Sequence, residues 1–191
     1  MTWAPEGIIV HCAATRKEWM SGASVEQKRD EIRRWHVEDR GWRDIGYAEI
    51  GDYDGSHAMG RDLNGNDDPF DDIGAHTGGW NSKSIGLCLI GGHGSNPDDP
   101  FSKHFTAEQD MWLRRRIAYL RNRYPSIRWV KGHNNFANKA CPGFNVKKWL
   151  AQEPMMHPDP VAPVTHPDPH EAPMGWLARL IEAILSAFRR N

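Results

Sequence analysis

The sequence predicts an α/β fold: a central mixed β-sheet flanked by helices, followed by a Pro-rich linker and a C-terminal amphipathic helix. Three observations lead there. Apolar runs of strand length alternate with segments opened by helix-capping signals. One of those runs, Ser84 to Gly92, is apolar on both sides, which marks a strand buried on both faces and so central in a sheet. The composition then changes sharply near residue 153.

Taken in order, Gly7-Ile8-Ile9-Val10-His11-Cys12 reads as a buried strand. Ser24-Val25-Glu26-Gln27 is a capping box that opens a helix to about Asp39. Gly46 to Asp52 reads as a strand, with Tyr53-Asp54-Gly55 as the turn after it. Asn64 to Asp72 is acidic and only loosely like a calcium loop; it lacks the spaced ligands ending in Glu and reads as a solvated loop. After the central strand, Thr106-Ala107-Glu108-Gln109 is a second capping box, and its helix must stop before Pro125. Ile127 to Lys131 is another strand, and Asn145 to Ala151 a short last helix.

Residues 1–152 are therefore expected to form one domain. In 153–173 there are 7 prolines among 21 residues, and His157-Pro158-Asp159-Pro160 returns as His166-Pro167-Asp168-Pro169. Proline fixes φ and donates no hydrogen bond, so this stretch reads as an extended spacer, its histidines as solvated linker residues. In 174–191, Leu177, Leu180, Ile181, Ile184, Leu185 and Phe188 share one helical face, with Arg179, Glu182, Ser186 and Arg189 away from it. With Trp176 at its start and a basic balance, this helix is expected to meet anionic membrane lipid, docking and self-association being the alternatives.

Composition excludes several classes. Lys+Arg is 24 against 25 for Asp+Glu, so no basic field calls for a nucleic-acid partner. No apolar run reaches 18 residues, which excludes a conventional membrane span. Three cysteines are an odd number and too few for a disulfide scaffold. The Met-Thr-Trp-Ala-Pro-Glu start lacks a basic segment followed by an apolar one, so no secretory leader is expected.

Chemistry-bearing residues gather at strand ends. His11 closes the first strand, His133 follows the last, and Cys141 comes eight residues later in Lys139-Ala140-Cys141-Pro142-Gly143. Neutral imidazoles and a thiolate are good zinc ligands, and three of them leave a fourth position open. Taken alone, His-x7-Cys is a weak signal, since a satisfied loop histidine and a small buried thiol would read the same way. The ordered surroundings add more: Val10-His11-Cys12-Ala13-Ala14-Thr15, Gly41-Trp42-Arg43-Asp44-Ile45-Gly46-Tyr47, Gly74-Ala75-His76, Asn81-Ser82-Lys83-Ser84-Ile85-Gly86, Gly132-His133, and Lys139-Ala140-Cys141-Pro142-Gly143-Phe144. From about residue 7 to 150 this resembles the type 2 N-acetylmuramoyl-L-alanine amidases, the family of phage lysozyme-like amidases and peptidoglycan recognition proteins.

The resemblance implies a zinc enzyme that cuts the amide between the lactyl group of N-acetylmuramic acid and L-alanine in peptidoglycan. His11, His133 and Cys141 fall on the family's ligand positions, Tyr47 on its active-site tyrosine, and Lys139 on the catalytic lysine of the phage branch. His76, Trp80 and Asn81 match a segment that borders the cleft and are the expected substrate contacts. The chemistry suits these types: zinc lowers the pKa of bound water to roughly 7 and polarises a carbonyl. Lys139 can meet the oxyanion, and the Tyr47 hydroxyl can bond the attacking water or the same oxygen. His36 is expected to be structural, and Cys12 and Cys88 to be buried thiols.

Three features depart from the family pattern: Ala48-Glu49 after Tyr47, Asn134-Asn135 after His133, and the acidic 64–72 loop. They bear on substrate detail rather than on the metal site. The expected role is that of a phage endolysin, made in the host cytoplasm and acting at the cell wall after release. The competing roles are a bacterial housekeeping or interbacterial amidase and a non-catalytic peptidoglycan-binding module.

Overall fold

The computed structural model describes residues 3–155. Five strands form one sheet: β1 (Gly7–Cys12), β2 (Glu49–Gly51), β3 (His57–Met59), β4 (Ser84–Leu89) and β5 (Trp129–Gly132). Three α-helices accompany them: α1 (Val25–Arg34), α2 (Ala107–Arg123) and α3 (Val146–Leu150). The strand order is β3-β2-β4-β1-β5. The β1–β4, β1–β5 and β2–β4 pairs are parallel, and β2–β3 is antiparallel. The sheet is thus mixed, and β1 and β4 are interior strands with every residue buried. This is what their unbroken apolar sequences require.

Both capping boxes form. Ser24 Oγ accepts from the Gln27 N–H and Gln27 Oε1 from the Ser24 N–H; Thr106 and Gln109 repeat the exchange at the start of α2. Helix α2 ends at Arg123, ahead of Pro125. One turn of π-helix, Trp35–Asp39, continues α1 and carries the helical path to the Asp39 expected from the sequence. Two bounds differ. The strand expected over 46–52 is regular only at Glu49–Gly51, and it is followed by β3, which its own sequence had not signalled. His57–Met59 is only three residues long, and its place comes from pairing across the Tyr53-Asp54-Gly55 turn, where the Asp52 N–H donates to the Ser56 carbonyl at 2.8 Å.

Alternation along the strands divides the core. Ile8, Val10, Leu87 and Leu89 pack with Trp112, Leu113, Ile117 and Leu120 of α2 and with Val146 and Trp149 of α3. On the other face, Ile50, Cys88 and Ile90 pack with Ile32 of α1 and with Ile45, Trp35 and Tyr47. Buried Gln109 ties α2 to the sheet, its Nε2 donating to the Ile90 carbonyl at 2.9 Å. Buried Asp110 holds the end of the fold: it accepts from Trp149 Nε1 at 2.5 Å and from the Met155 N–H at 2.8 Å. The Pro-rich linker beyond Met155 and the amphipathic helix expected at 174–191 lie outside the described residues.

Candidate metal centre and active site

Parallel pairing assembles the site. In the β1–β5 register Val10 lies opposite Gly132, so the next residues, His11 and His133, emerge side by side at the C-terminal ends of two adjacent strands. Their ring centroids are 4.7 Å apart. This is where parallel sheets commonly place ligands. Cys141 returns from a loop that is tied to the same edge. The Asn134 N–H donates to the Cys141 carbonyl at 2.7 Å, and the Cys12 N–H donates to Cys141 Sγ at 3.3 Å. Gly132 permits this approach, since a Cβ there would stand 2.7 Å from Cδ of Pro142.

The ligand atoms of His11, His133 and Cys141 lie within 4.8 Å of one another. His11 Nδ1 is 3.7 Å from Cys141 Sγ. Tetrahedral zinc with ordinary Zn–N and Zn–S bonds would separate such a pair by roughly 3.6 Å. Donor set and spacing therefore fit zinc. The electrostatics point the same way. His11 is held well below its ordinary pKa by burial first and then by His76, His133 and Lys139; His133 is lowered by burial and Lys139. Both rings are therefore neutral, as ligation requires. The Cys12 thiol beside it, and burial, push the Cys141 thiol up, so a thiolate there calls for a cation.

Tyr47 lies on the same face, its ring centroid 5.1 Å from that of His11. Burial raises its hydroxyl well above the ordinary value, which keeps it a proton donor at neutral pH. Lys139 is exposed on the loop two residues before Cys141, close enough for its ammonium to be felt at both His11 and His133. His11, His133, Cys141 and Tyr47 thus lie together, with Lys139 on the loop that carries Cys141.

The three expected substrate contacts divide. His76 is buried and spends its ring on His11, Thr77 and Ser84. Asn81 Oδ1 accepts from the backbone N–H groups of His76 and Thr77, so it braces the loop. Trp80 is half-buried against Phe136 and Trp129, at 4.7 and 5.9 Å, and keeps part of its surface exposed. His36 accepts from the Gly46 N–H at 3.1 Å and stacks on Trp42, a structural arrangement. Cys12 and Cys88 are buried free thiols. Sequence reasoning missed Thr77 beside His11 and the Cys12 amide beside Cys141. Their proximity arises from pairing across more than 60 residues and leaves no local pattern.

The family model for N-acetylmuramoyl-L-alanine amidases matches residues 2–144, nearly the whole described fold. The chain belongs to this amidase family. Among curated relatives, the endolysin of Klebsiella phage KP32 is 36% identical over 80% of this chain and 89% of its own length. Peptidoglycan-recognition protein SC2 of Drosophila melanogaster is 30% identical over 72% of this chain and 68% of its own. Among solved structures, the N-acetylmuramoyl-L-alanine amidase LysC from Clostridium intestinale superposes with a TM-score of 0.58 at 26% identity, covering 78% of this chain and 85% of that one. The α/β fold with its mixed five-stranded sheet is the fold of these amidases and recognition proteins. The protein is accordingly an amide hydrolase acting on peptidoglycan.

Proposed function

We propose that this amidase is a zinc-dependent phage endolysin that hydrolyses the lactyl–L-alanine amide of peptidoglycan during host lysis. The observation that carries the zinc reading is the convergence of His11, His133 and Cys141 beside Tyr47 and Lys139. The likeness to phage endolysins over most of both chains supports the lytic role. No helix among the described residues is long and apolar enough to cross a membrane. The enzyme then works at the cell wall after release from the cytoplasm.

Zinc held by these three residues would supply a Lewis acid that polarises the scissile carbonyl and makes water nucleophilic near neutral pH. The chain does the remaining work. The C-terminal ends of β1 and β5 hold the imidazoles neutral and converging. The Lys139 ammonium stabilises the carbonyl oxygen as negative charge develops on it. The Tyr47 hydroxyl, held protonated, donates to the same oxygen or orients the attacking water. Trp80, half-buried against Phe136, offers its remaining aromatic surface to the substrate.

Digestion of purified peptidoglycan should release new L-alanine amino termini and no new reducing sugar. A chelator should abolish the reaction, and zinc at one ion per chain should restore it. Full activity in a sample shown metal-free by elemental analysis would overturn the zinc reading, and new reducing ends would overturn the bond assignment.

A further inference from the structure

His76 was expected at the substrate, yet it lies beneath His11, only 7% exposed. Its Nε2 is 3.2 Å from the Ser84 carbonyl oxygen on β4. A carbonyl can only accept, so Nε2 carries the ring's single proton. The Nδ1 of His76 is then a lone pair, and it stands 3.0 Å from His11 Nε2, which must donate to it. Thr77 Oγ1, 3.2 Å from His76 Nδ1 and 3.4 Å from His11 Nε2, fits the same assignment as donor to the first and acceptor from the second. With its proton on Nε2, His11 presents an unprotonated Nδ1, and Nδ1 is the atom that faces Cys141 Sγ.

The surroundings hold His76 in this place. Asn81 Oδ1 receives the N–H groups of His76 and Thr77 at 2.9 and 2.8 Å and fixes the loop. The ring lies flush on β4 at Gly86, where a Cβ would come within 2.5 Å of His76 Cγ. A glycine inside a central strand weakens it unless something must approach the backbone closely, and here the imidazole does.

We infer that His76 is a positioning residue: through its bonds to Ser84 and His11 it fixes the His11 tautomer, aiming the Nδ1 lone pair at the centre shared with His133 and Cys141. The inference rests on the zinc reading of that centre and adds to it the relay Asn81–His76–His11. An outer hydrogen bond of this kind orients a ligand ring and is worth roughly 10–100-fold in metal affinity.

The test uses the full chain with 15N-labelled histidine. In the chelator-stripped protein, long-range 1H–15N correlation should show the His11 proton on Nε2; a proton on Nδ1 would overturn the inference without any variant. Zinc affinity is then read by competition with a chromophoric chelator. His76→Leu should weaken it roughly 10–100-fold, and His76→Asn, whose Oδ1 replaces the lost acceptor, should recover most of that. Gly86→Ala, which alters no ligand but displaces the ring, should also weaken zinc. Unchanged affinity in a folded His76→Leu chain, or equal losses in the Leu and Asn variants, would overturn the positioning role. A parent chain that binds no zinc would sink the zinc reading instead, while the tautomer measurement still decides what His76 does.

Discussion

The proposed ligand Cys141 and the proposed catalyst Lys139 lie two residues apart and should fail in different ways. Cys141 is half-buried and pinned by the Cys12 amide, whereas Lys139 is exposed. Lys139→Ala should therefore keep zinc and the melting temperature but lose turnover by roughly 100-fold or more, the scale expected when an oxyanion contact is removed. Tyr47→Phe should retain more activity, because the ring still packs against His11 and only the donor is lost. Cys141→Ser should lose metal and activity together, since two remaining ligands hold zinc weakly. Steady-state kinetics paired with metal analysis checks all three. Loss of zinc in Lys139→Ala would show that the lysine supports the centre rather than the reaction.

At the level of elements, one ion pair joins the sheet to α2. Glu49 of β2 is fully buried; Arg116 Nη2 donates to its Oε1 at 2.6 Å, Arg116 Nε lies 2.5 Å from Oε2, and His57 of β3 is 3.5 Å away. It lies on the α2 side of the sheet, paired with Arg116. Burial raises its pKa to about 7 from 4.5 even though Arg116 opposes the shift. Between those values the folded chain binds more protons than the unfolded one, so this group's contribution to stability falls as pH rises from about 4.5 to about 7. His36 has the opposite sign: burial holds it at about 4 against 6.5, and its contribution is lost as pH falls through that window. In Glu49→Gln the histidine effect is no longer offset. Measured with chelator present, its melting temperature should fall more steeply from pH 7 to pH 4.5 than that of the parent. Parallel curves would show that Glu49 is ionised throughout.

For the whole molecule, the amidase fold and the tail are expected to separate in function. The proposed catalytic residues at the strand ends, on the Cys141 loop and at Tyr47 all lie within the residues matched by the family. We propose that residues 1–152 are the catalytic domain, 153–173 a spacer, and 174–191 a basic amphipathic helix for anionic lipid. An isolated helix of that length is marginal in water and needs a surface to fold against. Truncation after Gln152 should leave hydrolysis of purified peptidoglycan near the parent's while reducing binding to anionic vesicles and lysis of intact cells. Equal vesicle binding and lysis by the two forms would dispose of the lipid role.

The sequence by itself determined the elements that periodicity and caps encode. These are the two capped helices, the doubly buried β4, the stop before Pro125, and, through ordered motifs, the family to which the chain belongs. Such features are local, because the relevant hydrogen bonds and apolar stripes fall within a few residues of one another. Strand β3 was not legible, since three residues with one buried side chain carry no period and exist as a strand only through pairing with β2. The surroundings of His76 and Asn81 were not legible for a related reason. A histidine and an asparagine beside a cleft look alike in sequence whether they face the substrate or the interior. Only the register of β1 on β4 and β5, which sets His11 between His76, His133 and Cys141, decides which way they point. Identity of the chemistry was written in residue types; the orientation of each donor and lone pair was left to long-range pairing.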